Sequence, residues 1–196
     1  IFLPENERWY DFYDFNEIDQ NKKNKKIEYE INNEKIGAFI KGGEIITKKM
    51  RLRRSIQKMK NDPLTIIISL NLENKSEGII YFDDEESLDY QKNKYSLLKI
   101  TYEKFEINFD WITYNYPVIN NIEKIVLLGE NSNELYNNKN IKVELIMKEN
   151  NKFNLEIISD SQNKKIEILR LNKYKITDLQ KITFKYLFNI IFYLFN

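Results

Sequence analysis

Ile141-Lys142-Val143-Glu144-Leu145 alternates apolar and charged side chains with a period of two, and Ile166-Glu167-Ile168 repeats the pattern further along. That alternation puts one face of each segment in a core and the other in water, as in an antiparallel sheet. A sheet with one apolar face needs a second layer to cover it. Working outward, short β-branched and aromatic runs recur at Ile27 to Ile31, Ala38 to Ile46, Thr65 to Leu70, Gly78 to Phe82, Tyr95 to Tyr102, Phe105 to Phe109, Ile122 to Leu128, Phe153 to Ile158 and Ile166 to Leu171. No long segment carries a 3.6-residue period, so the pattern predicts an all-β fold built of sandwiches. One helical turn is expected, Ile56 to Lys60, with Ser55 as its N-cap and Pro63 barring its continuation.

Composition narrows the chemistry. The 196 residues hold no Cys and no His, which removes disulfides, thiol nucleophiles, Cys-ligated zinc and the commonest general base. The lack of Cys leaves the compartment open. Lys+Arg 31 nearly balance Asp+Glu 30, so no global field draws in nucleic acid or an anionic membrane. Ala occurs only as Ala38 and Gly five times, while Asn, Lys, Ile, Tyr and Phe abound, a usage expected of an AT-rich coding sequence. The Asn/Lys tracts at 21–26 and 131–140 then read as polar loop insertions. The first residue is Ile1 rather than Met, and a start inside a longer chain is expected. The apolar run 184–196 is shorter than the roughly 20 residues that span a bilayer, so no membrane span is expected.

Four local constellations could carry function. Trp9-Tyr10-Asp11, followed by Phe12, Tyr13 and Phe15, sets aromatic faces beside a carboxylate, a combination that suits a sugar platform and equally suits packing between domains. Lys41-Gly42-Gly43 lacks the remaining glycines and the Lys-Ser/Thr of a phosphate loop, and reads as a tight turn or bulge. The basic run Lys48 to Arg54 would suit an acidic partner, but without any nucleic-acid module around it a solvated or interdomain surface is expected. Asp83-Asp84-Glu85-Glu86 lacks the alternating ligands and central Gly of an EF-hand loop, and is expected to be a charged turn.

Taken in order, Phe2-Leu3-Pro4 with Trp9-Tyr10-Asp11, IGAFIKGGEII at 36–46, Arg51 to Ser55 with Met59 to Thr65, and GIIYFDD at 78–84 resemble the C-terminal region of glycoside hydrolase family 31, especially its glucosidase II branch. Beyond Tyr102 the likeness is one of strand pattern, with IEKIVLLG at 122–129 the best echo. The resemblance implies two consecutive antiparallel β-sandwich domains with one short linker helix: residues 1–64 part of a proximal sandwich whose earlier strands are missing, 65–183 a distal sandwich, and 184–196 an apolar tail. It further implies an α-glucosidase parent that removes terminal α-linked glucose, by analogy from N-glycans in the endoplasmic reticulum lumen. The partners it implies are a catalytic (β/α)₈ barrel of the same parent chain and a non-catalytic glucosidase II subunit. Neither catalytic Asp motif of the family occurs here, so no catalytic residue is assigned, no cofactor or metal is expected, and the chain alone is not expected to be active. Trp9, Tyr10, Asp11 and Lys41 are the candidate barrel-facing or sugar-contacting residues. The sequence departs from the family's usual Pro, Arg and Gly at Gly37, Lys41 and Glu85, which puts in question a bidentate contact at Lys41 and a positive-φ turn at Glu85. The alternative is a free-standing carbohydrate- or protein-binding β-sandwich module.

Overall fold

The structure is a computed structural model that describes residues 1–18, 28–130, 141–147, 152–160, 165–169, 171 and 174–186. Among the described residues twelve strands carry the fold: β1 Trp9–Asp11, β2 Phe39–Lys41, β3 Ile45–Lys48, β4 Leu64–Ser69, β5 Ser76–Phe82, β6 Ser96–Glu103, β7 Glu106–Tyr114, β8 Ile122–Leu128, β9 Ile141–Met147, β10 Lys152–Asp160, β11 Lys165–Leu169 and β12 Leu179–Tyr186. The expected all-β class is what the chain adopts.

Ten strands run in the order β3-β4-β8-β11-β10-β9-β12-β7-β6-β5, but β10 divides its pairing. Its first part, Lys152 to Leu155, pairs with β9, and its second, Glu156 to Asp160, pairs with β11. One long strand thus passes from one layer of a sandwich to the other. Ile66, Ile68, Ile125, Leu127, Ile166 and Ile168 from one layer share a single core with Leu98, Ile100, Ile107, Phe109, Ile182 and Phe184 from the other. All twelve are almost fully withdrawn from solvent, and each contributes roughly 1.5–3 kcal/mol of burial.

At the far ends of the order, β3 and β5 meet through a parallel bridge between Glu44 and Glu77. Gly78 makes this approach possible, because a Cβ there would stand 2.6 Å from the Ile45 carbonyl oxygen and 2.8 Å from its Cβ. Among the described strands the ladders are antiparallel except for that of β4 and β8, which run parallel and are joined by the whole β5–β7 meander, consistent with the long crossover a parallel pair needs.

β4 is buried at every position, LTIIIS, because its layer is covered on both sides. One side is the sandwich core; on the other, Ile67, Val126 and Leu128 pack under Tyr10 and Ile40 of the separate two-stranded sheet β1-β2 and Phe15 of the turn after β1. The molecule therefore has three layers. A near-continuous apolar run is what burial on both faces demands.

Several expectations need correction. Residues 28–31 form no strand; Tyr29 there turns its hydroxyl to Asp11 instead. Ala38 to Ile46 is two strands and not one: at Gly42-Gly43 the chain leaves the β1-β2 sheet and enters the sandwich, with Gly43 at φ +98°. The expected turn is thus a corner between layers. The linker helix is a 3₁₀ turn, Ile56–Met59, and Ser55, though extended at its N-cap, makes no side-chain capping bond. β12 was not foreseen; its Phe184 is buried and its pairing with β9 continues to Tyr186. The position 64/65 falls at the start of β4, and β3 before it pairs with β4 after it. Both Asn/Lys tracts and residues 187–196 lie outside the described residues, among which no helix is long and apolar enough to cross a membrane.

Candidate functional site

β1 and β2 place the four candidate residues by strand alternation. Tyr10 and its partner Ile40 face the sandwich, whereas Trp9, paired with Lys41, and Asp11, paired with Phe39, take the opposite face. Tyr10 is 1% exposed, and its hydroxyl donates to the Leu70 carbonyl at 2.8 Å. Burial holds its phenol well above the ordinary value, so it is neutral at any physiological pH. Trp9 is half-buried, with its indole N–H donating to the Pro4 carbonyl at 3.2 Å, which joins the first two stretches of the resemblance. Lys41 is exposed and pairs with Glu7 at 2.8 Å, a hydrogen bond that raises its ammonium's affinity for the proton. The bidentate geometry an Arg would offer is replaced by a single point contact.

Asp11 is 4% exposed and fully engaged. Its Oδ1 accepts the backbone N–H groups of Tyr13 (2.7 Å) and Asp14 (3.2 Å), closing the turn after β1. Its Oδ2 accepts the Tyr29 hydroxyl at 2.6 Å and lies 3.4 Å from Lys35 Nζ. Burial pushes this carboxyl up, but the Tyr29 bond, the two N–H groups and the Lys35 charge together hold it below its ordinary value. Lys35 in turn stands over the rings of Tyr29 and Tyr13, at 4.6 and 5.4 Å from their centroids. Sequence reasoning missed Tyr29 and Lys35, which reach Asp11 across some 20 residues of chain and leave no local signal. It also missed Arg8, buried beneath β1, which donates to the Gly129 carbonyl at 2.5 Å and pairs with Glu17 at 3.4 Å.

The basic run and the acidic turn meet each other. Arg53 forks onto buried Asp62, Nε to Oδ2 at 2.9 Å and Nη2 to Oδ1 at 2.7 Å, and its hydrogen bonds keep that carboxyl below its ordinary range. Lys49 pairs with Glu85 at 3.1 Å, Lys60 donates to the Asp84 carbonyl at 2.6 Å, and Lys48 lies over Phe12 at 3.9 Å. Asp83 and Asp84 are spent on the turn itself: Asp83 accepts the Glu85 N–H, and Asp84 accepts the N–H groups of Glu86 and Ser87 and the Ser87 hydroxyl. Glu85 does adopt φ +56°, so the positive-φ turn survives without its glycine, at a cost of about 1–2 kcal/mol.

Among the described residues no three carboxylates gather to hold a metal ion. The Trp9–Lys41 face offers charge pairs and aromatic rings, an arrangement that binds or packs but holds no activated nucleophile beside a base.

No family model matches the chain. In sequence it is 38% identical over 128 residues to the neutral alpha-glucosidase AB of Dictyostelium discoideum, covering 63% of this chain and 13% of that protein. It is 35% identical over 150 residues to the glucosidase 2 subunit alpha of Saccharomyces cerevisiae, covering 71% and 15%. In fold it matches the catalytic subunit in a crystal structure of the ER glucosidase II heterodimeric complex, with a TM-score of 0.78 and 22% identity over 94% of this chain and 21% of that one. The chain thus spans about one seventh of the length of the curated relatives it matches. In sequence the chain is a homologue of a part of glucosidase II α subunits, and its fold is that of a portion of them outside the barrel.

Proposed function

We propose that this chain is the non-catalytic C-terminal β-sandwich portion of a family 31 α-glucosidase, with the Trp9–Lys41 face packing against the catalytic barrel. The parent enzyme removes terminal α-linked glucose, from N-glycans in the endoplasmic reticulum lumen, in company with a non-catalytic subunit. The observation that carries this reading is the 35% identity to the Saccharomyces cerevisiae glucosidase 2 subunit alpha, of which the chain covers 15%. Ile1, Phe2, Tyr13, Ile31 and Ile36 all stand exposed in the layer that also presents Trp9, while that layer's inner face is fully packed. That outer surface is the part of the chain assigned here to the barrel contact.

A chimera tests it. This chain replaces the matched segment of the Saccharomyces cerevisiae glucosidase 2 subunit alpha, and hydrolysis of an aryl α-glucoside is measured on the purified protein. Activity within about tenfold of the parent is expected. A folded chimera with no activity would refute the supporting role.

A further inference from the structure

Asn74 is the only asparagine in the 196 residues that is followed two positions on by Ser or Thr, as Asn74-Lys75-Ser76. That is the acceptor pattern for N-linked glycosylation, which needs a surface position because the glycan is bulky. Three residues of pattern carry little alone; their place in the fold decides. The triplet lies in the turn that joins β4 to β5, where Leu72, Glu73 and Lys75 are exposed.

The turn holds itself together without the Asn74 side chain. Asn71 Oδ1 accepts the N–H groups of Glu73 and Lys75, both at 2.9 Å. The main chain closes with the Asn71 N–H on the Lys75 carbonyl at 3.0 Å and the Asn74 N–H on the Asn71 carbonyl at 3.1 Å. Asn74 takes φ +57°, in the left-handed region that asparagine enters more readily than most residues. Its Oδ1 is withdrawn from solvent with no hydrogen-bond partner, while its Nδ2 is neither withdrawn nor bonded among the described residues. The nitrogen is thus the free end of the amide, and it is the atom that N-glycosylation derivatises. Ser76, by contrast, is 5% exposed and donates its hydroxyl to the Ser69 carbonyl. A transferase that reads this hydroxyl must therefore meet the chain before β4 and β5 close on each other.

We propose that Asn74 is a glycosylation site, carrying an N-linked oligosaccharide at the β4–β5 turn. The co-reactant is a lipid-linked oligosaccharyl pyrophosphate. Nδ2 attacks its anomeric carbon, the N–C bond forms as the bond from that carbon to the pyrophosphate oxygen breaks, and the pyrophosphate leaves with the electron pair. One of the two amide protons passes to a base of the transferase, and nothing is oxidised or reduced. The proposal rests on the reading that places the parent in the endoplasmic reticulum lumen, where such a donor is used. The site belongs to the sandwich and not to the β1-β2 layer assigned to the barrel contact.

The test uses the yeast chimera, expressed in yeast behind the leader of the yeast subunit, purified, and treated with peptide:N-glycosidase in heavy-oxygen water before digestion. Mass spectrometry is expected to find heavy oxygen at position 74, and the untreated protein should migrate more slowly in a gel than Asn74→Asp by one glycan. Ser76→Ala should lose the same glycan. If Ser76→Ala fails to fold, Asn74→Asp decides, because aspartate also enters the left-handed region readily. Equal mobility of the chimera and its Asn74→Asp variant, with no heavy oxygen at position 74, would overturn the proposal. Since the yeast leader delivers the chimera to the lumen, that result is a failure of the site and not of the compartment. Hydrolysis of the aryl α-glucoside separates the two readings: an active chimera with a bare Asn74 sinks this proposal alone, whereas a glycosylated but inactive one supports the site and counts against the supporting role.

Discussion

Alanine at Gly78 should cost this protein far more than its one methyl group suggests. The new Cβ would lie 2.6 Å from the Ile45 oxygen and 2.8 Å from the Ile45 Cβ, and both belong to the main-chain frame of β3, which cannot swing aside as a side-chain tip can. Relief requires β5 to draw back from β3, loosening the Glu44–Glu77 bridge that joins the two ends of the strand order. Overpacking of this kind costs about 1–3 kcal/mol. Gly78 has no positive φ, so alanine also gains about 0.4–1 kcal/mol by restricting the unfolded chain. The net loss is about 1–2 kcal/mol, or about 2–8 °C in Tm for a protein of this size. Thermal unfolding followed by circular dichroism reads this directly. Gly37→Ala is the control, because its Cβ would meet only side-chain atoms, with the Ile1 Cδ1 tip at 3.1 Å the nearest, and it should leave Tm unchanged or slightly raised. A Gly78→Ala protein as stable as wild type would refute the claim that this glycine is needed to close the sandwich.

Other consequences can be measured alongside. Tyr10→Phe removes the hydroxyl that Leu70 O accepts at 2.8 Å, and should lower stability by about 1–2 kcal/mol; an unchanged denaturant midpoint would show that the bond contributes nothing. Hydrogen bonds from Ser87 and the N–H of Glu86 hold the Asp84 carboxyl at about 2, below its ordinary 3.8. A depressed carboxyl stabilises the fold above its unfolded value and loses that contribution as pH falls through the folded one. Asp84→Asn should therefore be less stable than wild type at pH 6, with the gap narrowing between about pH 4 and 2; a gap constant across that range would mean the charge is not what stabilises the turn. Trp9→Ala should leave Tm within about 0.5 kcal/mol of wild type in free-energy terms yet lower the activity of the yeast chimera, and equal activity would argue against a barrel contact through that ring.

The sandwich was legible because its strands obey simple rules. Alternation identified β9 and β11, and apolar β-branched runs identified β4 and β8, where burial on both faces leaves no polar side to read. What escaped was decided by distant contacts. β1 is three residues long and was read as an aromatic cluster, since nothing local says that Tyr10 lies under one layer while Trp9 faces away. The segment 28–31 looked like a strand but spends its tyrosine on Asp11, a partner many residues back. Glu85 was doubted at a positive φ that the Asp83 and Asp84 turn bonds nonetheless enforce. Lys48 to Arg54 showed its charge in the sequence but not its partners, which are Asp62 after the 3₁₀ turn, Glu85 of the acidic turn and the Phe12 ring just after β1.

The three-layer arrangement implies that the first layer is not a detachable appendage. Ile67, Val126 and Leu128 are each withdrawn from solvent and are covered, on the side away from the sandwich core, by Tyr10, Phe15 and Ile40. Removing residues 1–43 would return those three side chains to water at about 1.5–3 kcal/mol each. It would also strip Arg8 from the Gly129 carbonyl and Tyr10 from the Leu70 carbonyl. The sum, about 5–9 kcal/mol from burial alone, equals much of the 5–15 kcal/mol that holds a typical domain together. A chain beginning at Glu44 is thus expected to be insoluble, or to lose its cooperative melt while keeping β-rich circular dichroism. A soluble 44–196 protein that unfolds in one sharp transition near the wild-type Tm would show instead that the sandwich core is self-sufficient and that the β1-β2 layer only rests on it. The apolar stripe on β4 and β8 would then have to be explained by something other than the need to hold that layer in place.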